Sequence, residues 1–188
     1  MSVTIEKVNT TGVPFKDARN LIKAQGKFKR IGTGAFGEVY GSKNSNLVYK
    51  IGEVYENEPY LAYIKTVITQ KEHNPFTPKI YGVRIYQNKK EDEDSYFVVC
   101  MEKLKPIDRN DHRVYRWFSD QLETSSDSSR NAIAEQMLGI KTVVPPAVSN
   151  ALKLLKKAWR KSKQGDWDLH SGNFMKRGKQ IVITDPLA

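Results

Sequence analysis

Apolar positions in the first half of the chain fall into short alternating runs. Phe28–Ile31, Gly37–Tyr40 and Leu47–Ile51 are separated by a glycine-rich turn and by Gly41-Ser42-Lys43-Asn44-Ser45-Asn46, so they predict three antiparallel strands. From Glu58 the spacing of Leu61, Ile64 and Ile68 becomes helical. That helix is expected to stop before Asn74-Pro75, because a proline ring disfavours helical geometry at the residue before it. Lys79–Gln87 and Ser95–Met101 return to strand patterning on either side of a charged turn at 88–94. The first 26 residues are polar and weakly periodic, with a short strand at 2–7 and a helix near 15–25.

After Pro106 the pattern turns helical. Arg113–Phe118 is aromatic-rich, Asn131–Leu138 has amphipathic spacing, and Pro146–Lys161 is the stronger helix. Thr124–Ser129 reads as a linker or loop. Phe174-Met175 and Ile181–Thr184, separated by Lys176-Arg177-Gly178-Lys179, read as a closing hairpin. No internal repeat is visible.

At 188 residues and 39% apolar composition the chain can bury a core as one cooperative unit. Cys100 is the single cysteine, which excludes an internal disulfide framework and reads as a small core hydrophobe. With no run near 18 apolar residues and no signal-like stretch in the first 30, a cytoplasmic protein is expected. The net charge of +10 favours a polyanionic partner, yet it is concentrated in Lys153, Lys156, Lys157, Arg160, Lys161 and Lys163. Two readings stand for this segment. Ala151, Leu154, Leu155, Ala158 and Trp159 pack inward and leave the lysines in water, or the lysine face docks an acidic host protein or RNA-bound complex.

The sharpest early motif is Gly32-Thr33-Gly34-Ala35-Phe36-Gly37-Glu38-Val39. Glycines at this spacing let a turn between two strands bring bare backbone N–H groups to phosphate oxygens, while Val39 lies on adenine. A dinucleotide fold would open a helix here, whereas the residues that follow read as a strand. Lys50, between Tyr49 and Ile51, alternates so as to face a cleft and offset phosphate charge. Glu58 is the expected carboxylate partner of Lys50, with Glu56 as its substitute. Late in the chain, Asp168 and Asn173 lie five apart across a small-residue loop, and Asp185 follows a short hairpin. One acid, one amide and a further acid are what phosphoryl transfer from ATP with Mg²⁺ asks for. His170 reads as a loop-ordering residue, because a structural zinc site would want four good ligands and neither Cys100, His73 nor His112 has that spacing.

In this order, Gly32-x-Gly34-x-x-Gly37-x-Val39, Lys50, Glu58, Val98–Met101 running into Glu102-Lys103-Leu104, Asp168-Leu169-x-x-x-Asn173 and Asp185 resemble the eukaryotic-type protein kinase fold. Asp-Leu-His-Ser-Gly-Asn-Phe-Met followed by Ile-Thr-Asp-Pro is most similar to the early serine/threonine protein kinases of short-tailed enterobacterial phages, and also resembles antibiotic phosphotransferases. The resemblance covers about residues 28–188. It implies an α+β, protein-kinase-like fold: an N-terminal extension at 1–27, a five-stranded antiparallel N-lobe with one helix and a hinge at 28–104, and a reduced, mostly helical C-lobe at 105–188. By the same resemblance Lys50 holds the α- and β-phosphates with Glu58 as its partner. Asp168 is the catalytic base, Asn173 and Asp185 are Mg²⁺ ligands, and residues 102–104, with Glu102 and Leu104, meet adenine.

Pro186 stands where most protein kinases have Phe, and Asp166 where they often have His. The sequence runs three residues past Asp185; if the natural chain ends there, positioning of an acceptor is expected from residues 105–165 or from another molecule, and if it is a truncation, from the part beyond residue 188. The implied function is an ATP- and Mg²⁺-dependent serine/threonine protein kinase that modifies host proteins in the host cytoplasm. Its partners are then protein substrates or an acidic host protein, with no membrane and no nucleic acid. Self-phosphorylation is expected in the cluster Thr124, Ser125, Ser126, Ser128 and Ser129. The alternatives are a non-catalytic binding protein on the same fold that redirects a host factor, and a small-molecule phosphotransferase.

Overall fold

The computed structural model describes residues 3–10, 12–34, 37–54, 58–88, 95–108, 146–162 and 165–188. The elements expected at 113–118 and 131–138, the serine-rich cluster at 124–129 and Glu56 lie outside the described residues. The chain divides into two compact units, 1–56 with 79–103 and 57–78 with 104–188.

The first unit is a six-stranded mixed sheet with one helix on it. Its elements are β1 (Ile5–Thr10), α1 (Pro14–Ala24), β2 (Lys29–Gly34), β3 (Gly37–Gly41), β4 (Leu47–Glu53), β5 (Ile80–Asn88) and β6 (Tyr96–Glu102), in the spatial order β1-β5-β6-β4-β3-β2. Pro14 opens α1, where its missing N–H costs nothing. Ala18 and Ile22, four apart on one face, are buried with Tyr49, Ile51, Tyr86 and Val98. Gly26, at φ 115°, takes the left-handed turn that carries the chain from the helix into β2.

A five-stranded antiparallel sheet was the expectation, and β2 through β6 pair in that way. The correction is a sixth strand: β1 runs parallel to β5, Ile5 opposite Val83 through Thr10 opposite Asn88. A parallel pair formed across so many residues has no hairpin turn to announce it in the sequence. Residues 1–27, expected as an extension, thus supply an edge strand and a core helix to this unit.

In the second unit Glu58 caps α2 (Pro59–Ile68), its carboxylate accepting from Tyr60 N at 3.3 Å. The helix is buried on nearly every side, and it packs on α3 (Pro146–Ser162). The face of α3 made by Ala151, Leu152, Leu154, Leu155, Ala158 and Trp159 is buried, while Lys153, Lys157, Arg160 and Lys161 are exposed. This is the packing arrangement expected of the basic segment. At Gly165 an added Cβ would stand 2.9 Å from the Pro59 ring and 2.8 Å from Ser162 Oγ, so only glycine lets the chain pass between the start of α2 and the end of α3. A small antiparallel sheet completes the unit, ordered β7 (Lys105–Pro106), β8 (Phe174–Arg177), β9 (Gln180–Ile183), with Gly178 at φ 62° in its hairpin turn. Among the described residues no helix is long and apolar enough to cross a membrane.

Candidate active site

The β8–β9 hairpin is anchored by Phe174, Ile181, Val182 and Ile183, all buried. Its last cross-strand pair is Phe174 with Ile183. One step beyond, Thr184 donates to Asn173 O twice, from its N at 2.9 Å and from Oγ1 at 3.0 Å. The segment after Asp185 then pairs with the segment before the loop. Asp168 N donates to Pro186 O at 2.9 Å, and Asp166 and Ala188 exchange backbone hydrogen bonds at 2.9 and 3.1 Å. Trp167 and Leu187 bridge between them. Backbone bonds at 184 and 186 therefore fix Asp185 beside both Asn173 and Asp168.

Side chains close the loop. Asn173 is buried, and its Nδ2 donates to both the carbonyl O and the carboxylate Oδ2 of Asp168, each at 2.8 Å. Because both partners are acceptors, the amide orientation is fixed, and its other end is an oxygen. His170 Nδ1 accepts from Gly172 N at 3.1 Å, the loop-ordering role expected of it. His170 Nε2 lies 3.1 Å from Asn173 Nδ2 and 3.5 Å from Asp168 Oδ1. A Cβ at Gly172 would stand 2.7 Å from His170 Cε1, so the ring and the bare glycine fit each other.

Behind Asp185 lies α2. Tyr63 donates its hydroxyl to Ile183 O at 2.5 Å. Burial, and after it the charge of Asp185, pushes the phenols of Tyr60 and Tyr63 well above their ordinary value. Both tyrosines stay neutral, and the carboxylates that act on this wall are Asp185, on both phenols, and Glu58, on Tyr60. Thr184, Pro186, Leu187 and Tyr63 all hold the site, and the sequence marked neither Leu187 nor Tyr63. Only the Ile-Thr-Asp-Pro run hinted at Thr184 and Pro186.

The first unit carries the other expected residues. Tyr49 and Ile51 join the core beneath α1, so the alternation of β4 puts Lys50 on the opposite face. Val39 and Val99 are its direct cross-strand partners there. Gly34 and Gly37 form the last pair of the β2–β3 hairpin. Glu102 is buried, and its carboxylate accepts from Lys79 N at 2.8 Å, which ties the end of β6 to the start of β5. Glu58 and Leu104 belong to the second unit, with Asp168, Asn173 and Asp185.

Comparison with family models and with curated proteins finds no match to this chain.

Asp168, Asn173 and Asp185 present two carboxylates and an amide oxygen, the donor set of a hard divalent cation. Among the described residues no three His, Cys, Asp or Glu side chains converge on one point. The donor set is oxygen throughout, the kind that hard cations take. It does not suit zinc, which seeks nitrogen or sulfur donors.

Proposed function

We propose that this chain is an ATP- and Mg²⁺-dependent phosphotransferase of the protein-kinase type, acting on a serine or threonine hydroxyl of a protein. The observation that carries the reading is the hydrogen-bonded constellation of Asp168 and Asn173 with Asp185 held against them by Thr184 and Pro186.

In this reading the acceptor hydroxyl oxygen attacks the γ-phosphorus, the bond to the β–γ bridging oxygen breaks, and ADP departs. Asp168 takes the hydroxyl proton, its carboxylate oriented by the Asn173 amide. Asn173 Oδ1 and the Asp185 carboxylate would hold Mg²⁺, which when bound offsets charge on the β- and γ-phosphates. Lys50 meets the α- and β-phosphates, and the amides of the β2–β3 turn cradle phosphate oxygens.

Two amide substitutions test it, because each keeps side-chain size and the fold. Asp168→Asn should lower turnover by about 10²–10⁴-fold while Mg-ATP still binds. Asp185→Asn removes a charged oxygen donor, so both Mg-dependent ATP affinity and turnover should fall. The assay is radiolabelled phosphate transfer to host lysate, paired with calorimetric Mg-ATP titration. Folded wild type that takes no Mg-ATP at millimolar concentration would sink the nucleotide reading. Wild type that binds Mg-ATP yet labels nothing, itself included, would leave a non-catalytic binding protein.

A further inference from the structure

The β2–β3 hairpin has little apolar packing of its own. β2 is an edge strand, five of its six residues are exposed, and Ile31 forms a bulge between Arg30 and Gly32. Such a hairpin needs another restraint if Gly34 and Gly37 are to present their backbone in one geometry. The restraint is polar. Glu38, directly after Gly37, receives Arg19 Nη2 on both carboxylate oxygens at 2.8 and 2.7 Å, Arg30 Nη1 at 2.9 Å and the Tyr40 hydroxyl at 2.6 Å.

Arg19 stands on α1, which packs on β4, β5 and β6. Its guanidinium also lies 4.2 Å from the centre of the Phe15 ring, which in turn meets Tyr96 at a tilt of 37°. The arginine is therefore held from its own side before it reaches β3. Glu38 and Tyr40 point toward α1, so fixing them fixes the rotation of β3, and with it the opposite-facing Gly37 and Val39.

We infer that Arg19 is a positioning residue for nucleotide binding: acting through Glu38, it ties the N-terminal helix to the glycine-rich hairpin and holds the backbone of Gly37 and Val39 in place for the nucleotide. This rests on the phosphotransfer reading above and extends the nucleotide site to a helix that the kinase-like motifs do not include. Since a single nitrogen of Arg19 serves both oxygens, a lysine ammonium can replace it in part.

The test is ATP kinetics and Mg-ATP titration of wild type, Arg19→Met, Arg19→Lys, Glu38→Gln and the Arg19→Met/Glu38→Gln pair. Arg84→Met serves as control, since it breaks a comparable pair with Glu6 at the far end of the same sheet. Arg19→Met should raise KM for ATP about tenfold with kcat within about twofold, the size expected of one coupled charged contact. Arg19→Lys should recover most of that loss, and the double variant should be no worse than Arg19→Met. A folded Arg19→Met or Glu38→Gln enzyme with unchanged KM overturns the inference, and so does a control that loses as much. Wild type that binds no Mg-ATP overturns the phosphotransfer reading and this inference together, which distinguishes the two failures.

Discussion

Gly37→Ala separates the steric role of the glycine-rich turn from its chemical one. A Cβ at Gly37 would stand 2.3 Å from Ile51 O, 3.2 Å from Ile51 C and 3.3 Å from Gly52 Cα, all backbone atoms of the neighbouring strand. No rotamer relieves such an overlap, so β3 must move off β4 and stretch the ladder that joins Glu38 to Ile51 and Val39 to Lys50. Overpacking of this kind costs about 1–3 kcal/mol. Gly34 is the counterexample, because nothing lies within 4 Å of its added Cβ and its φ is not positive. Gly34→Ala should therefore be neutral, or more stable by about 0.4–1 kcal/mol through the less flexible unfolded chain. If the turn approaches phosphate, the same Gly34 methyl should weaken Mg-ATP binding without loss of stability. Urea unfolding of both variants, alongside calorimetric ATP titration, reads the two effects separately. Equal stability of the Gly37 and Gly34 variants would refute the close-approach argument.

Leu155→Ala, which empties a fully buried position on α3, should cost about 2–5 kcal/mol in denaturant unfolding, whereas exposed Lys157→Gln should stay within about 0.5 kcal/mol. Tyr63→Phe deletes the buried bond to Ile183 O and should cost about 0.5–1.5 kcal/mol by the same measurement.

Local chemistry made much of this fold legible. The strands at 28–51 were bracketed by turn residues and the late hairpin by Gly178, while the helix that starts at Glu58 ends at Ile68, ahead of the stop expected at Asn74-Pro75. Asp168 and Asn173 were readable as a pair because a five-residue loop of small side chains brings its ends together by itself. Long-range pairing was not readable. The parallel β1–β5 ladder and the strap of 186–188 on 166–168 join residues with no turn between them, and backbone hydrogen bonds carry no side-chain signature. Glu38 was hidden for a different reason. Its motif neighbours drew attention as glycines, while the partner that holds it comes from a helix in a segment with no motif.

That cluster also gives the protein an acid-sensitive element whose direction is fixed. Partial burial raises the Glu38 pKa, but hydrogen bonds from Tyr40, Arg19 and Arg30 and the charge of Arg19 outweigh it, so the carboxyl falls from an ordinary 4.5 to about 2. A carboxyl depressed in the folded state adds stability that is complete above the unfolded value and lost as pH falls through the folded one. The window is therefore between about pH 4.5 and 2. The full gap corresponds to about 3 kcal/mol at most. Arg19 and Arg30 are 38% and 57% exposed, so solvent screening reduces the expected contribution to about 1–2 kcal/mol. Other carboxyls titrate in the same range, and comparison with Glu38→Gln cancels them, since both proteins share every other group. Urea unfolding should find the wild type more stable than Glu38→Gln by that amount at pH 6. The difference should shrink through pH 4 and 3 and be nearly gone at pH 2. A difference that stays level from pH 6 to pH 2 would mean that the four contacts on Glu38 hold a shape rather than a charge, and the electrostatic account of the α1 tether would fall with it.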